Sequence, residues 1–158
     1  VKIKNLSIIN IKKLLEEVIM SSSTLKKRTK IVCASRIFFK TDKNSLYRII
    51  FNLLENASKF GKNISIHATK KFKTLIIEIE DDGPGIPESE RYLVFDRFYR
   101  VLGTSEDGSG LGLAIVQETA HQHDANVSIH ENPKSSHPDR PGTLMRVSFQ
   151  PRHRQMED

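Results

Sequence analysis

The sequence predicts an α+β fold of two layers, a mixed β-sheet covered on one face by about three helices. Three observations lead there. Apolar residues alternate in "NISIHAT" and "FKTLIIEIE", the period of half-buried strands. They recur at helical spacing in "IKKLLEEVI" and "NSLYRIIFNLLENASKF", each behind a capping residue, Asn10 or Asp42. Strands and helices also follow one another without the strict alternation of a parallel sheet.

Taken in order, "LSIIN" is a short strand, and Asn10 caps an amphipathic helix that stops near "SSS". "KIVC" and "RIFFKT" are two short strands. Asp42 caps a helix running to about Phe60, with Gly61 at its C-terminal position. The two alternating runs that follow are neighbouring strands of a hairpin. After a Gly-Pro-Gly break, "ESERYLVFDRFYR" is a short helical or turn region, followed by the loop "VLGTSEDG". A further helix starts around Gly110 and ends near His123, and "NVSIHE" and "TLMRVSFQ" close the chain as strands joined by the turn-rich "NPKSSHPDRPG".

At 158 residues the chain fits one domain with a real core. Its one cysteine, Cys33, excludes an internal disulfide framework, suits a reducing compartment and reads as a buried, inert thiol. No apolar run approaches bilayer-spanning length, and no signal-peptide pattern opens the chain. Val1 stands where an intact chain would carry Met, so a piece of a longer protein is expected. The net charge of +6 suits a polyanionic partner: nucleic acid, nucleotide phosphates or a membrane surface. It draws on "LKKRTK" and "KNISIHATKKFK", neither of which reads as carrying interleaved exposed aromatics that stack bases, and a solvated basic face is favoured. His121 and His123, two apart on a helix, point to different sides and make a poor metal pair, while His67 and His130 read as structural.

The stretch "IEIEDDGPGIPE" raises the sharpest question. Alternation puts Leu75, Ile77, Ile79 and Asp81 on one strand face, so a carboxylate ends an apolar row, where it is costly unless hydrogen-bonded. An Asp-Gly hairpin turn fits the same residues. On the preceding helix, Asn52, Asn56 and Lys59 form a stripe beside the core face. Amides beside an ammonium can cradle hydrated Mg²⁺ and phosphate oxygens, and so can they form an ordinary solvated flank. Glu55 lies about 100° around the helix from Asn56, a poor place for a base serving it. In "EDGSGLGLAIVQETA", Gly108, Gly110 and Gly112 alternate where a helix begins, a place that suits phosphate. The spacing is neither that of a P-loop nor of a dinucleotide fingerprint, and a flexible hinge reads equally well.

Together "NLLENASKF", "DDGPGIP", "FDRFYR" and "GSGLGLAIV", in this order and compactly spaced, resemble the ATP-binding catalytic domain of sensor histidine kinases. That family shares the Bergerat nucleotide fold with DNA gyrase, heat-shock chaperone ATPases and mismatch-repair ATPases. The resemblance runs from the first helix to "GTLMRVSF". It implies that Asp81 accepts a hydrogen bond from the adenine amino group, with Gly83 and Gly85 letting backbone pass close to the base beside Ile86. Thr143 would help to hold Asp81 and a bridging water. Asn56 would coordinate Mg²⁺, with Asn52 and Lys59 near metal and phosphates. Gly108, Ser109, Gly110, Leu111, Gly112 and Leu113 would frame the triphosphate and its lid. Phe95 and Phe98 resemble an aromatic pair that packs the lid and core, and Arg97 and Arg100 are candidate phosphate or partner contacts. Phe60 stands where the family usually has Tyr, which removes a hydroxyl but keeps the packing.

Hydrolytic branches of the superfamily carry a glutamate one turn before the metal asparagine. Here that position is Asn52, and an amide cannot act as a general base. The likeness therefore implies a histidine kinase, which transfers the γ-phosphoryl group of MgATP to histidine. None of this chain's histidines sits in the family's acceptor box, so the acceptor is expected upstream, in a dimerisation domain of the same protein. A response regulator would act downstream, and the parent would be a homodimer anchored in the bacterial inner membrane with this domain in the cytoplasm. An ATPase, a nucleotide-binding regulatory module without transfer, and a basic nucleic-acid-binding domain are the alternative readings; the likeness implies no nucleic-acid partner.

Overall fold

Leu75, Ile77, Ile79 and Asp81 are all buried on one face of a strand, and this row organises the molecule. The structure, a computed structural model, describes residues 5–96, 112–135 and 137–151. The chain begins with β1 (Leu6–Asn10), α1 (Ile11–Met20), α2 (Ser23–Arg28), β2 (Thr29–Cys33) and β3 (Phe38–Asp42). It continues with α3 (Lys43–Phe60) and the strands β4 (Ile64–Lys71) and β5 (Thr74–Asp81). Two short 3-10 turns, Glu88–Glu90 and Leu93–Phe95, precede α4 (Gly112–Gln122), β6 (Ala125–His130) and β7 (Thr143–Phe149).

The main sheet has five strands in the order β2-β4-β5-β7-β6. β2 runs parallel to β4 and the other pairings are antiparallel, so the sheet is mixed as expected. One face is apolar: Ile64 and Ile66 of β4, the β5 row, and Met145, Val147 and Phe149 of β7 are buried. It packs against α3, whose Leu46, Ile49, Ile50, Leu53, Leu54 and Ala57 recur at helical spacing and are buried. The opposite face carries Glu78, paired with Arg146 at 2.8 Å, and Glu80, 3.3 Å from Lys134 and 3.8 Å from His67. His130 lies 2.9 Å from the Ser128 hydroxyl on that face, and both strand histidines take part in structure.

Local chemistry explains the helix boundaries. Asn10 Oδ1 accepts from the Lys13 N–H at 3.2 Å, and Asp42 Oδ1 from the Ser45 N–H at 3.0 Å, each meeting one of the donors a helix start leaves orphaned. Gly61 closes α3 in extended conformation, φ −120°, not the left-handed cap expected of a glycine there. Its reason is crowding: a Cβ would lie 2.9 Å from both Asp81 Cβ and Asp82 Oδ1.

The sequence reading departs from the structure at three further points. β1 and β3 pair with each other as a separate two-stranded antiparallel sheet and do not extend the main one. The described residues hold four α-helices, not about three; the addition, α2, is six residues long, capped by Ser22 and anchored by one buried side chain, Leu25. Its lysines and arginine fall in the last turn, where they complement the helix dipole. Cys33 is half-buried, not buried; burial pushes its thiol up, opposed by Lys12 and aided by Glu16, which disfavours the reactive thiolate.

Candidate functional site

Asn52, Asn56 and Lys59 line one side of a cavity of about 80 Å³ whose other walls are Val94, Gly112 and Leu113. Two segments remote in sequence, the α3 flank and the start of α4, thus meet. Asn52 Nδ2 donates to the Arg48 carbonyl at 2.8 Å, which turns Oδ1 toward Gly112; a Cβ on that glycine would lie 3.4 Å from it. Lys59 is exposed and makes no ion pair among the described residues. Glu55 lines the same cavity, although it lies about 100° around the helix from Asn56. The physical reason is register: positions 52, 55, 56 and 59 are spaced i, i+3, i+4, i+7, which is one helix face, and the angle from Asn56 alone misses this.

Asp81 is not part of this cavity. It lies beside the C-terminal end of α3, where Gly61 abuts its Cβ. Asn52 precedes Phe60 by eight positions, about 12 Å at helical rise, so the carboxylate sits beside the C-terminal end of the helix flank along which Asn52, Asn56 and Lys59 are spaced. Asp81 is 4% exposed and accepts the Gly83 N–H at 2.8 Å. Burial pushes its carboxyl up to about 6; the backbone N–H groups of Gly83 and Thr143 and the charge of Arg140 pull it down, and Asp82 pushes it further up. Thr143, itself buried, is its register partner on β7.

Asp82 has the opposite environment. Partial burial pushes its carboxyl up, but the Asn63 side chain and the Asn63 and Lys62 N–H groups, at 2.8, 3.1 and 2.7 Å, outweigh this and hold it below the usual range. The two adjacent carboxylates therefore divide their work. Asp82 ties the end of α3 to the end of β5, while Asp81 remains a buried acceptor at the end of an apolar row.

Gly83 and Gly85 are required by the protein's own backbone: a Cβ on Gly83 would be 2.7 Å from the Phe60 carbonyl oxygen, and Gly85 has φ +81° with Pro141 Cγ 2.9 Å from its Cβ position. Ile86 and Leu113 are half-buried against the core, Phe60 is half-buried, and Phe95 is 8% exposed. Arg97, Phe98, Arg100, Gly108, Ser109, Gly110 and Leu111, with the loop 101–107, lie outside the described residues.

Sequence reasoning missed the loop between β6 and β7 as a support for this end of the sheet. Asn132 Nδ2 donates to the Asp81 carbonyl at 3.1 Å, the Gly142 N–H to the Gly83 carbonyl at 2.9 Å, and Arg140 to the Asp82 and Phe60 carbonyls at 3.2 and 3.4 Å. The signal available was Pro-Gly at 141–142, a turn pair directly before the strand that faces Asp81.

A mixed sheet with helices on its apolar face, an amide-lined cavity at a helix start and a buried carboxylate at a strand end together have the architecture of a nucleotide-binding α+β domain. The chain belongs to the histidine kinase-, DNA gyrase B-, and HSP90-like ATPase family, whose model matches residues 41–153. It is 38% identical over 111 residues to the signal transduction histidine-protein kinase/phosphatase MprB of Mycobacterium sp. (strain KMS), covering 67% of this chain and 21% of that protein. To the sensor protein PhoQ of Escherichia coli (strain K12) it is 37% identical over 97 residues, covering 61% and 20%. A solved structure of the mycobacterial sensor histidine kinase MprB matches with a TM-score of 0.78 at 25% identity, over 92% of this chain and 97% of that one. The chain thus spans about a fifth of the length of these curated relatives. It is an ATP-binding catalytic domain of the sensor histidine kinase type, as its four sequence boxes implied. Among the described residues no helix is long and apolar enough to cross a membrane.

Proposed function

We propose that this domain holds MgATP along the α3 flank and passes the γ-phosphoryl group to a histidine on a separate dimerisation domain of the same protein, 1–158 being a single catalytic domain. The observation that carries this reading is the pairing of a buried acceptor, Asp81, with an amide and ammonium cluster further along the same helix. Adenine is a flat apolar ring with an exocyclic amino donor, so the Asp81 carboxylate accepts from it at the end of the apolar row, with Thr143 beside it. Gly112 and Leu113, and by the likeness residues 108–111, close the phosphate end, with Arg97 and Arg100 as further phosphate or partner contacts.

The donor set fits a hard cation: the Asn56 amide is its proposed ligand, and Asn52 turns an oxygen to the same cavity. When bound, Mg²⁺ would neutralise charge on the phosphate oxygens. Lys59 supplies a further cation, and the α4 N-terminus supplies N–H groups. The attacking histidine nitrogen forms the new P–N bond with its own lone pair while the bond to the β-phosphate oxygen breaks and ADP leaves. This needs no water-activating base, in keeping with the amide at Asn52. The parent protein, by this reading, is a homodimer in the bacterial inner membrane that hands the phosphoryl group to a response regulator, with this domain on the cytoplasmic side.

Calorimetric titration of MgATP into the chain tests the binding step; one saturable site is expected, and no heat at millimolar nucleotide would end the proposal. A base at position 52 gives a second test. General-base catalysis sets a ceiling of about 10²- to 10⁴-fold on the rise in ATP turnover for Asn52→Glu. A smaller rise is expected, because a base also requires a positioned water. Wild type should hydrolyse ATP barely above background, and any residual hydrolysis should fall on Glu55→Gln, the one carboxylate lining the cavity among the described residues. Sustained wild-type turnover on the order of 1 s⁻¹, an ordinary enzyme rate, would favour the ATPase reading.

A further inference from the structure

Phe72 breaks two rules at once. It is fully exposed, at the tip of the β4–β5 hairpin, and its φ is +57°. Lys71 pairs with Thr74, so Phe72 and Lys73 form a two-residue loop whose first position, at positive φ, is one that glycine, asparagine or aspartate ordinarily takes. A bulky side chain there gives up turn stability and hydrophobic burial together, which points to function when the exposed group has something to meet. The run "KNISIHATKKFK" holds this one aromatic, exposed but not interleaved with others of the kind that stack bases.

The surroundings say what it meets. Behind the hairpin lies a cavity of about 220 Å³ walled by Leu6, Phe39 and Phe149 and edged by Lys40, Lys70 and Lys73. None of these three ammonium groups has an ion-pair partner among the described residues. Lys70 Nζ donates to the Phe38 carbonyl at 2.7 Å, which joins the hairpin to the β1–β3 sheet. On the outer face of that sheet Ile8 and Phe38 are 73% and 45% exposed, with Lys40 opposite Ile8. The hairpin tip thus carries Phe72 beside Lys70, Lys71 and Lys73, and the small sheet joined to it through Lys70 carries Ile8, Phe38 and Lys40.

We infer that this end of the domain docks on an anionic lipid bilayer, with Phe72 entering the boundary between headgroups and acyl chains and the lysines meeting lipid phosphates. The shape favours a bilayer over a nucleic acid. Single strands are bound in grooves that line up several aromatics, whereas here one aromatic stands at a projecting apex. A flexible, fluid surface accepts a single inserted ring, and unpaired lysines around it add electrostatic attraction to anionic headgroups. The site is distinct from the nucleotide end: β5 runs eight residues from Thr74 to Asp81, about 23 Å at strand rise, and the two features sit at its opposite ends.

The chain contains no tryptophan, so Phe72→Trp places a single fluorophore at the tip. With vesicles of phosphatidylglycerol and phosphatidylcholine its emission should shift to the blue and the chain should co-sediment; pure phosphatidylcholine vesicles should do neither. Phe72→Gly should weaken co-sedimentation about tenfold, as loss of one inserted aromatic implies. That variant keeps or raises the melting temperature, because glycine suits the positive φ, so misfolding cannot explain the loss. Lys70→Gln and Lys73→Gln should each weaken binding about fivefold. Equal binding to neutral and anionic vesicles, an unshifted emission, or full binding by Phe72→Gly would overturn the proposal. So would Phe72-dependent capture of a single-stranded oligonucleotide in preference to the anionic vesicles, which would assign the tip to nucleic acid.

Discussion

Asp81→Asn should weaken ATP binding by about 1 to 3 kcal/mol, the cost of a mispaired buried polar contact, while making the nucleotide-free domain more stable. The two effects share one cause. In the folded chain burial pushes the Asp81 carboxyl up to about 6, from an ordinary value of 3.8. Between about pH 4 and pH 6 the folded state therefore holds a proton that the unfolded state has lost, so stability falls as pH rises through this window and is level above it. By that shift, the buried charge costs about 3 kcal/mol at neutral pH. Asparagine removes the charge and keeps an oxygen to accept from Gly83. The variant should melt higher at pH 7 and lose the decline between pH 4 and 6. Guanine presents a carbonyl where adenine presents its amino group, so wild type should prefer ATP to GTP and the variant should lose that preference. Titration calorimetry with both nucleotides and thermal melts across pH check this; a variant that melts lower yet still discriminates would contradict it.

Gly142→Ala should cost about 3 to 5 kcal/mol of stability, in the range of the severe single substitutions. Gly142 has φ +70°, where an L side chain costs about 1 to 2 kcal/mol by itself. The larger part is steric. An added Cβ would collide with the Asp81 carbonyl oxygen and approach Asn132 Cβ to 2.9 Å. The first of these is backbone in a central strand and cannot swing aside. Relief requires β7 and β5 to part at the Thr143–Asp81 pair, which also breaks the Gly142 N–H to Gly83 bond and moves Asp81, the proposed adenine acceptor. ATP affinity should therefore fall more than tenfold along with stability. A wild-type denaturation midpoint for this variant would show that the loop does not brace the site.

The legible parts of the fold were those whose cause is local. The caps at Asn10 and Asp42, the α3 core face and the alternation that ends in Asp81 follow from periodicity and orphaned N–H groups, and each stands where the sequence placed it. What the sequence did not reveal depends on partners far along the chain. Nothing local tells that β1 pairs with β3 and not with the main sheet, because both strands are short and their neighbours are set by where α3 packs. That Glu55 reaches the cavity does not follow from its angle to Asn56; it takes the whole stripe of positions 52, 55, 56 and 59 to show it. The bracing of Asp81 by Asn132 and Gly142 spans a long turn-rich loop whose path no pattern encodes. The exposure of Phe72 is not legible either, because an aromatic inside an alternating run is ordinarily buried and only the register of the hairpin puts it at the tip.

The central claim, that this chain moves a phosphoryl group to a histidine outside itself, is tested most directly by incubating it with γ-labelled MgATP and the dimerisation helices of its own parent protein. The account predicts acid-labile label on the helices, which disappears when their histidine is replaced, and negligible label on the chain itself. Stoichiometric acid-labile label on the chain alone, or steady release of phosphate with the helices left unlabelled, would contradict it.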